Sequence, residues 1–104
     1  MTHREKRCRF SYFLSKLVIY AFECGYEVSF QDVFAHDGHC HNSLHYVGLA
    51  GDLNLYLDGK YLTETKDYEF LGKKWRQYSP NCTWGGDWDD GCHFSYGEGI
   101  KNEK

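Results

Sequence analysis

Two histidines and one aspartate, His45, Asp52 and His93, could together bind a metal ion. Asp52 stands within an alternating segment, on the face opposite the leucines, where a carboxylate must meet water, a partner or a metal. His45 precedes Asp52 by seven residues, and a bend near the intervening Gly48 would let both side chains converge. Catalytic zinc sites use three protein ligands and leave one position for water. The spacing therefore allows a two-histidine, one-carboxylate metal site.

Asp90 is the candidate general base of this site. It precedes His93 by three residues, close enough to reach a water at the metal. The ligands also have structural explanations, in which His45 is an ordinary loop histidine and Asp52 is a carboxylate at the edge of a strand. Spacing alone leaves both interpretations open.

The cysteines and the remaining histidines suggest possible disulfide or metal sites, but their spacing does not establish any of them. Five cysteines without a CxxC pair predict neither a disulfide framework nor a four-cysteine zinc site, although a Cys82–Cys92 disulfide remains open. The residues at 36–41 include three histidines and Cys40, which could bind a second metal or form a solvated loop. Cys92 adjoins His93, and neighbours in an extended strand point apart, so a packed or free thiol is favoured over a ligand.

Length and composition predict a single domain spanning residues 1–104, with a basic arm at 1–9 and a loose tail at 97–104. Twelve basic and fifteen acidic side chains give a net charge of −3, which argues against a basic nucleic-acid binder and against an acidic disordered tail. Residues 10–22 are largely apolar, but Lys16 interrupts them and they are too few to span a bilayer. We therefore expect a core helix, no signal peptide and no membrane span.

The pattern of apolar residues and turn formers predicts a small α+β fold. A first helix should end at Gly25, and a second should span residues 65–78. Strands are expected at residues 26–30, 49–57, 60–62 and 93–96, with an Asp58-Gly59 hairpin turn and a loop at 82–92. The fold is thus predicted as a small antiparallel sheet flanked by two main helices, with the metal site on the sheet face.

Two local motifs resemble those of a known enzyme family. Residues 43–53, SLHYVGLAGDL, resemble the pattern S-x-H-x-x-G-x-A-x-D-L. Residues 84–94, WGGDWDDGCHF, resemble W-G-G-D/R-W/F-x-D-x-x-H-F. Both motifs, in this order, are similar to those of the zinc D-alanyl-D-alanine carboxypeptidases and dipeptidases, a family that includes the bacteriophage L-alanyl-D-glutamate endolysins. The resemblance runs from about residue 10 to residue 95.

The resemblance implies a hydrolase that cleaves peptidoglycan stem peptides at a bond involving a D-residue. It implies one Zn²⁺ ion held by His45, Asp52 and His93, with Asp90 moving the proton from the attacking water to the leaving amine. His36, Trp84 and Trp88 are candidate substrate-binding residues, and packing in the core explains Trp84 and Trp88 at least as well. The expected partner is a peptidoglycan peptide, not nucleic acid, and the protein is expected to be a monomer. It would wait in the host cytoplasm before lysis and act at the cell wall.

One departure from the family pattern supports an alternative function, and a second alternative does not depend on it. The family usually has an arginine before the first zinc histidine, but residues 30–37 contain none, and Ala35 stands near the expected position. His36 would replace such an arginine only in part, and only when protonated. The alternatives are a zinc-containing module that binds wall peptide without turnover, and a structural zinc protein. In the latter, His36, His39, Cys40 or Cys82 would complete a closed four-ligand shell.

Overall fold

The structure is a computed structural model that describes residues 1–32 and 49–97. The described part forms an α+β fold with two helices and a small antiparallel sheet, in agreement with the sequence prediction. The helices are α1 (His3–Glu23) and α2 (Glu69–Tyr78), and the strands are β1 (Glu27–Asp32), β2 (Ala50–Leu57), β3 (Lys60–Leu62), β4 (Cys82–Trp84) and β5 (His93–Tyr96). The bend predicted near Gly48, the histidine cluster at 36–41 and the tail beyond Gly97 lie outside the described residues.

Helix α1 begins earlier than the sequence prediction. The main-chain N–H of Glu5 donates to Thr2 Oγ1 at 3.1 Å, and the Glu5 carboxylate accepts from the Thr2 N–H at 2.8 Å. This reciprocal cap satisfies two amide groups that a helix start otherwise leaves unpaired, and the hydrogen bonds from Thr2 lower the pKa of Glu5. Residues 3–9, where the sequence predicted a basic arm, are therefore part of α1. The helix ends as predicted, with Gly25 at φ 94°.

The sheet is built around β2, the longest strand. The strand order is β1-β2-β5-β4, and β3 pairs with β2 through the tight turn at Asp58 and Gly59, where φ is 53° and 78°. Positive φ at both positions is typical of the turn that matches the twist of a hairpin, so this prediction is confirmed. All pairings are antiparallel, and β2 contacts both β1 and β5 directly.

The alternation of β2 separates a core face from an outer face. Leu53 and Leu55 are fully buried in a hydrophobic core that also contains side chains of both helices, as the leucine pattern predicts. Asp52 and Asn54 lie on the opposite, outer face, and His93 of β5 lies beside Asp52 on that face. The sheet thus presents two of the predicted metal ligands on the face away from the helices.

The second helical segment is split at Tyr68. Thr65–Tyr68 is a 3₁₀ turn and α2 begins at Glu69, whereas the sequence predicted one helix over residues 65–78. The Tyr68 hydroxyl accepts from Leu55 N–H at 3.1 Å and donates to the Leu62 carbonyl at 2.8 Å. Burial raises the pKa of Tyr68 to about 12. The two hydrogen bonds of the Tyr68 hydroxyl hold this turn against β2 and β3.

Strand β4 was predicted as part of a loop, and that prediction was wrong. Cys82, Thr83 and Trp84 pair with Tyr96, Ser95 and Phe94 of β5. The buried Trp75 of α2 connects the two strands, because its indole N–H donates to the Thr83 carbonyl at 3.1 Å and to the Ser95 carbonyl at 3.0 Å. The Trp75 ring also meets Phe94 and Phe10 edge-on, at centroid distances of 5.9 and 6.0 Å.

Trp84 is held between two glycines. A Cβ atom at Gly72 would lie 2.2 Å from Trp84 Cδ2, and one at Gly86 would lie 2.3 Å from Trp84 Cη2. The indole N–H donates to the Gly91 carbonyl at 2.6 Å, and the Arg76 guanidinium lies 5.3 Å from the ring centroid. Trp84 therefore joins α2 to the loop before β5.

We expect Gly72→Ala to destabilise the protein by about 2 kcal/mol, because the added methyl group overlaps a ring that Gly86 confines on another side. Alanine gains roughly 1 kcal/mol of helix propensity, which offsets only part of this cost. The free energy of unfolding from urea titration is the measurement. The exposed Gln77→Ala variant in the same helix is the control and should change it by less than about 0.5 kcal/mol. A Gly72→Ala protein as stable as wild type would contradict the confinement of Trp84.

Candidate metal centre

Strand register brings Asp52 and His93 together. The two residues are direct partners in the β2–β5 pairing, and paired residues of antiparallel strands project their side chains from the same face. His93 Nδ1 lies 3.3 Å from Asp52 Oδ1. The His93 side chain is 2% exposed and that of Asp52 is 14% exposed, so both are largely removed from water. Two of the three predicted ligands therefore meet in one sheltered place.

The separation of these two atoms is suited to a shared cation. A charge-assisted hydrogen bond between nitrogen and oxygen is typically about 2.7–2.9 Å long, shorter than the observed 3.3 Å. Two ligands about 2.0–2.1 Å from a tetrahedral zinc ion would be roughly 3.3–3.4 Å apart. Imidazole nitrogen and carboxylate oxygen are also ligand types that zinc accepts. The donor pair therefore fits one edge of a zinc coordination tetrahedron.

The third predicted ligand, His45, lies outside the described residues, as does His36. Across residues 1–32 and 49–97, no group of three or more histidine, cysteine or acidic side chains is arranged to hold a metal ion. The described part thus brings two of the three predicted ligands together, and a metal site here would need a third ligand from outside these residues.

A tight loop before β5 positions both His93 and Asp90. The Asp90 N–H donates to the Gly85 carbonyl at 2.9 Å, and the His93 N–H donates to the Asp90 carbonyl at 3.1 Å. A Cβ atom at Gly85 would lie 2.2 Å from the Asp90 carbonyl oxygen and 2.8 Å from His93 Cβ. Only glycine allows this approach, so Gly85 sets the position of Asp90 relative to His93.

Asp90 is partly buried and contacts the thiol of Cys92, whose Sγ donates to Asp90 Oδ1 at 3.6 Å. A cavity of about 100 Å³ adjoins Asp90, and its lining includes Tyr61, Glu64 and Tyr68. Asp90 is therefore placed where a small polar molecule can reach the loop that carries His93.

The described cysteines carry free thiols, including Cys82 and Cys92, so the disulfide that the sequence left open is absent between these two residues. Burial is the largest cause that raises the pKa of Cys92 to about 12, and the charges of Asp52 and Asp90 act in the same direction. Burial likewise raises the pKa of Cys82 to about 12. In this structure Cys92 is a packed thiol and a hydrogen-bond donor, in agreement with the sequence interpretation.

The tryptophans predicted to contact substrate differ in their surroundings. Trp84 is 6% exposed and packs in the hydrophobic core, which is the alternative that the sequence left open for it. Trp88 is only partly buried, and its ring centroid lies 5.7 Å from that of the His93 imidazole. The Trp88 ring therefore lies beside the His93 imidazole.

Sequence reasoning missed the contacts that two side chains, Thr65 and Arg76, make with the loop. Thr65 Oγ1 donates to Asp89 Oδ1 at 2.8 Å and accepts from the Gly91 N–H at 3.3 Å. The Arg76 guanidinium contacts Asp87 Oδ1 at 2.7 Å. No sequence motif signals these contacts. Each one joins residues whose proximity depends on how α2 and its preceding turn pack against the loop.

Comparison with known proteins adds no relative, since no protein-family profile and no curated protein matches the chain. In the described residues, no helix is both long enough and apolar enough to cross a bilayer.

Proposed function

We propose that the chain is a zinc-dependent peptidase that cleaves peptidoglycan stem peptides at a bond involving a D-residue. The observation that supports this most directly is the 3.3 Å separation of His93 Nδ1 and Asp52 Oδ1 across the β2–β5 register. These are the two described members of the ligand set that the motif resemblance implies. His45 is proposed as the third ligand, and Asp90 stands on the same loop as His93.

In this proposal, zinc would polarise the scissile carbonyl and lower the pKa of the attacking water. Asp90 would take a proton from the attacking water and would give it to the leaving amine. The Cys92 thiol orients the Asp90 carboxylate through its contact with Oδ1. Trp88 shelters the His93 imidazole from solvent on one side, and the cavity beside Asp90 provides space next to the reacting groups.

Cellular location and assembly follow from this proposal. A peptidoglycan peptidase of this type would be made in the host cytoplasm of a bacteriophage infection and would act at the cell wall as a monomer. The alternative of a zinc-containing wall-peptide-binding module rests on one observation, the absence of arginine from residues 30–37. That module would use the same ligands without turnover.

Metal removal is expected to abolish cleavage of purified peptidoglycan. The assay incubates the zinc-loaded protein with sacculi and measures newly released amine ends, with and without a chelator. Chelation should stop the release, and added zinc should restore it, because Asp52 and His93 alone provide no electrophile for the carbonyl. Metal analysis should give one zinc ion per chain.

The controls separate the peptidase from its alternatives. Asp52→Asn keeps the size of the side chain but weakens a ligand, so it should lower zinc content and activity together. Release of amine ends that survives complete metal removal would contradict the proposal. Binding of wall fragments without any release would support the binding module instead.

A further inference from the structure

Helix α1 has a second apolar stripe on the side away from the core. Its buried side is formed by Phe10, Leu14, Leu17 and Ala21. Tyr12, Ile19 and Phe22 recur at intervals of seven and three residues, so they share the opposite side of the helix. They are 60%, 58% and 51% exposed, which is unusual for large apolar side chains. We call these three residues the outer stripe.

Basic side chains surround the outer stripe. Helix α1 contains five lysines and arginines against two glutamates, a net charge of +3. The whole chain has a net charge of −3, so the rest of the chain carries −6. Arg4, Arg9 and Lys16 are exposed on α1. Helix α1, which exposes the outer stripe, is therefore net positive, opposite in sign to the rest of the chain.

A groove continues this surface toward α2. A cavity of about 290 Å³ is lined by Lys16, Ile19, Tyr20, Glu23, Lys74 and Tyr78. The Lys16 ammonium lies 5.0 Å from the Tyr78 ring centroid, and the Lys74 ammonium lies 4.9 Å from that of Tyr20. Two ammonium groups supported by aromatic rings can accept an anionic headgroup beside the apolar stripe, although Glu23 opposes them.

We propose that the outer stripe and its flanking basic residues dock the protein on the surface of an anionic lipid bilayer. Interfacial helices combine apolar and aromatic side chains that enter the acyl boundary with lysines and arginines that contact anionic headgroups. A second copy of α1 is a poorer partner, because two helices of charge +3 repel each other. A soluble polyanion is also a poorer partner, because it would bind the basic side chains of α1 but would leave the apolar outer stripe exposed to water. This docking is independent of the proposed peptidase activity and of zinc.

The test is co-flotation of the full chain with vesicles of equal parts phosphatidylglycerol and phosphatidylcholine, compared with phosphatidylcholine vesicles alone. The wild-type protein should float with the anionic vesicles only. The Ile19→Gln/Phe22→Gln variant should lose most of this binding, whereas the control Phe30→Gln, which replaces a phenylalanine 62% exposed on β1, should retain it. The charge variant Arg9→Gln/Lys16→Gln should lose about fivefold in partitioning for each residue removed. Lys60→Gln is its control.

Three results would overturn the proposal. They are equal flotation with neutral vesicles, undiminished flotation of the Ile19→Gln/Phe22→Gln protein, and a soluble wild-type dimer that this variant converts to monomer. Circular dichroism of each variant shows whether α1 remains helical, and all four sites are exposed, so folding should be preserved. Flotation should be unchanged in the presence of a chelator. Failure of docking is therefore distinguishable from failure of the peptidase proposal.

Discussion

Replacing Asp90 by asparagine is expected to lower the rate of peptidoglycan cleavage by about 10²–10⁴-fold while leaving the zinc content unchanged. Asparagine cannot take the proton of the attacking water, but its side-chain oxygen can still accept from the Cys92 thiol as Asp90 Oδ1 does. The main-chain hydrogen bonds that join residue 90 to Gly85 and to His93 do not involve its side chain. The variant should therefore keep the loop and the ligands in place. Release of amine ends and metal analysis on the same sample are the two measurements.

Asp87→Asn is the matched control for this experiment. Asp87 lies on the same loop, but its side chain is 67% exposed and contacts Arg76 rather than the ligand pair. Its replacement should change the rate by less than about twofold, since exposed ion pairs contribute little to stability. An Asp90→Asn protein that loses zinc would show that Asp90 acts as a ligand, and one that keeps full activity would exclude it as the proton carrier.

Trp75→Ala is expected to produce the largest loss of stability in the molecule, about 3–5 kcal/mol. The whole side chain is buried, and its removal leaves a cavity next to Phe10 and Phe94. It also removes the indole donor to the carbonyls of Thr83 and Ser95. Small domains have total stabilities of about 5–15 kcal/mol, so this variant should approach unfolding at room temperature. Urea titration followed by circular dichroism measures the change.

Trp75→Phe keeps this prediction testable if the alanine variant does not fold. Phenylalanine retains most of the buried ring but lacks the indole N–H, so the β4 and β5 carbonyls lose one donor. We expect an intermediate loss of about 1–3 kcal/mol. Phe30→Ala, at an exposed aromatic position, should cost much less and serves as the control. Equal stability of wild type and Trp75→Phe would show that the hydrogen bonds from the Trp75 indole to β4 and β5 contribute nothing to the free energy of unfolding.

The local elements were largely predictable from sequence because their signals lie within a few residues. Gly25 ends α1, and Asp58 with Gly59 forms the hairpin turn, since both places need the positive φ that these residues tolerate. The alternation of leucines predicts the buried face of β2. The early start of α1 was also encoded, since Thr2 and Glu5 have the spacing of a capping box.

Strand β4 and the boundary between the 3₁₀ turn and α2 were not predictable in this way. Three residues, Cys82–Trp84, are too few for a periodic pattern, and they form a strand because β5 and the Trp75 indole supply partners for them. Tyr68 ends the 3₁₀ turn where its hydroxyl meets β2 and β3. In both cases the deciding partners are distant along the chain.

For the candidate site, local sequence features were enough to single out His45, Asp52, Asp90 and His93 as candidates, because residue type, the glycine-rich loop and motif spacing can be read directly from the chain. The 3.3 Å approach of Asp52 and His93 could not be predicted in this way, because it depends on a β2–β5 register that pairs two residues 41 positions apart in the sequence. A register shift of one residue would turn one of the two side chains toward the core. Register depends on packing of the whole sheet against α1 and α2, which no local pattern specifies.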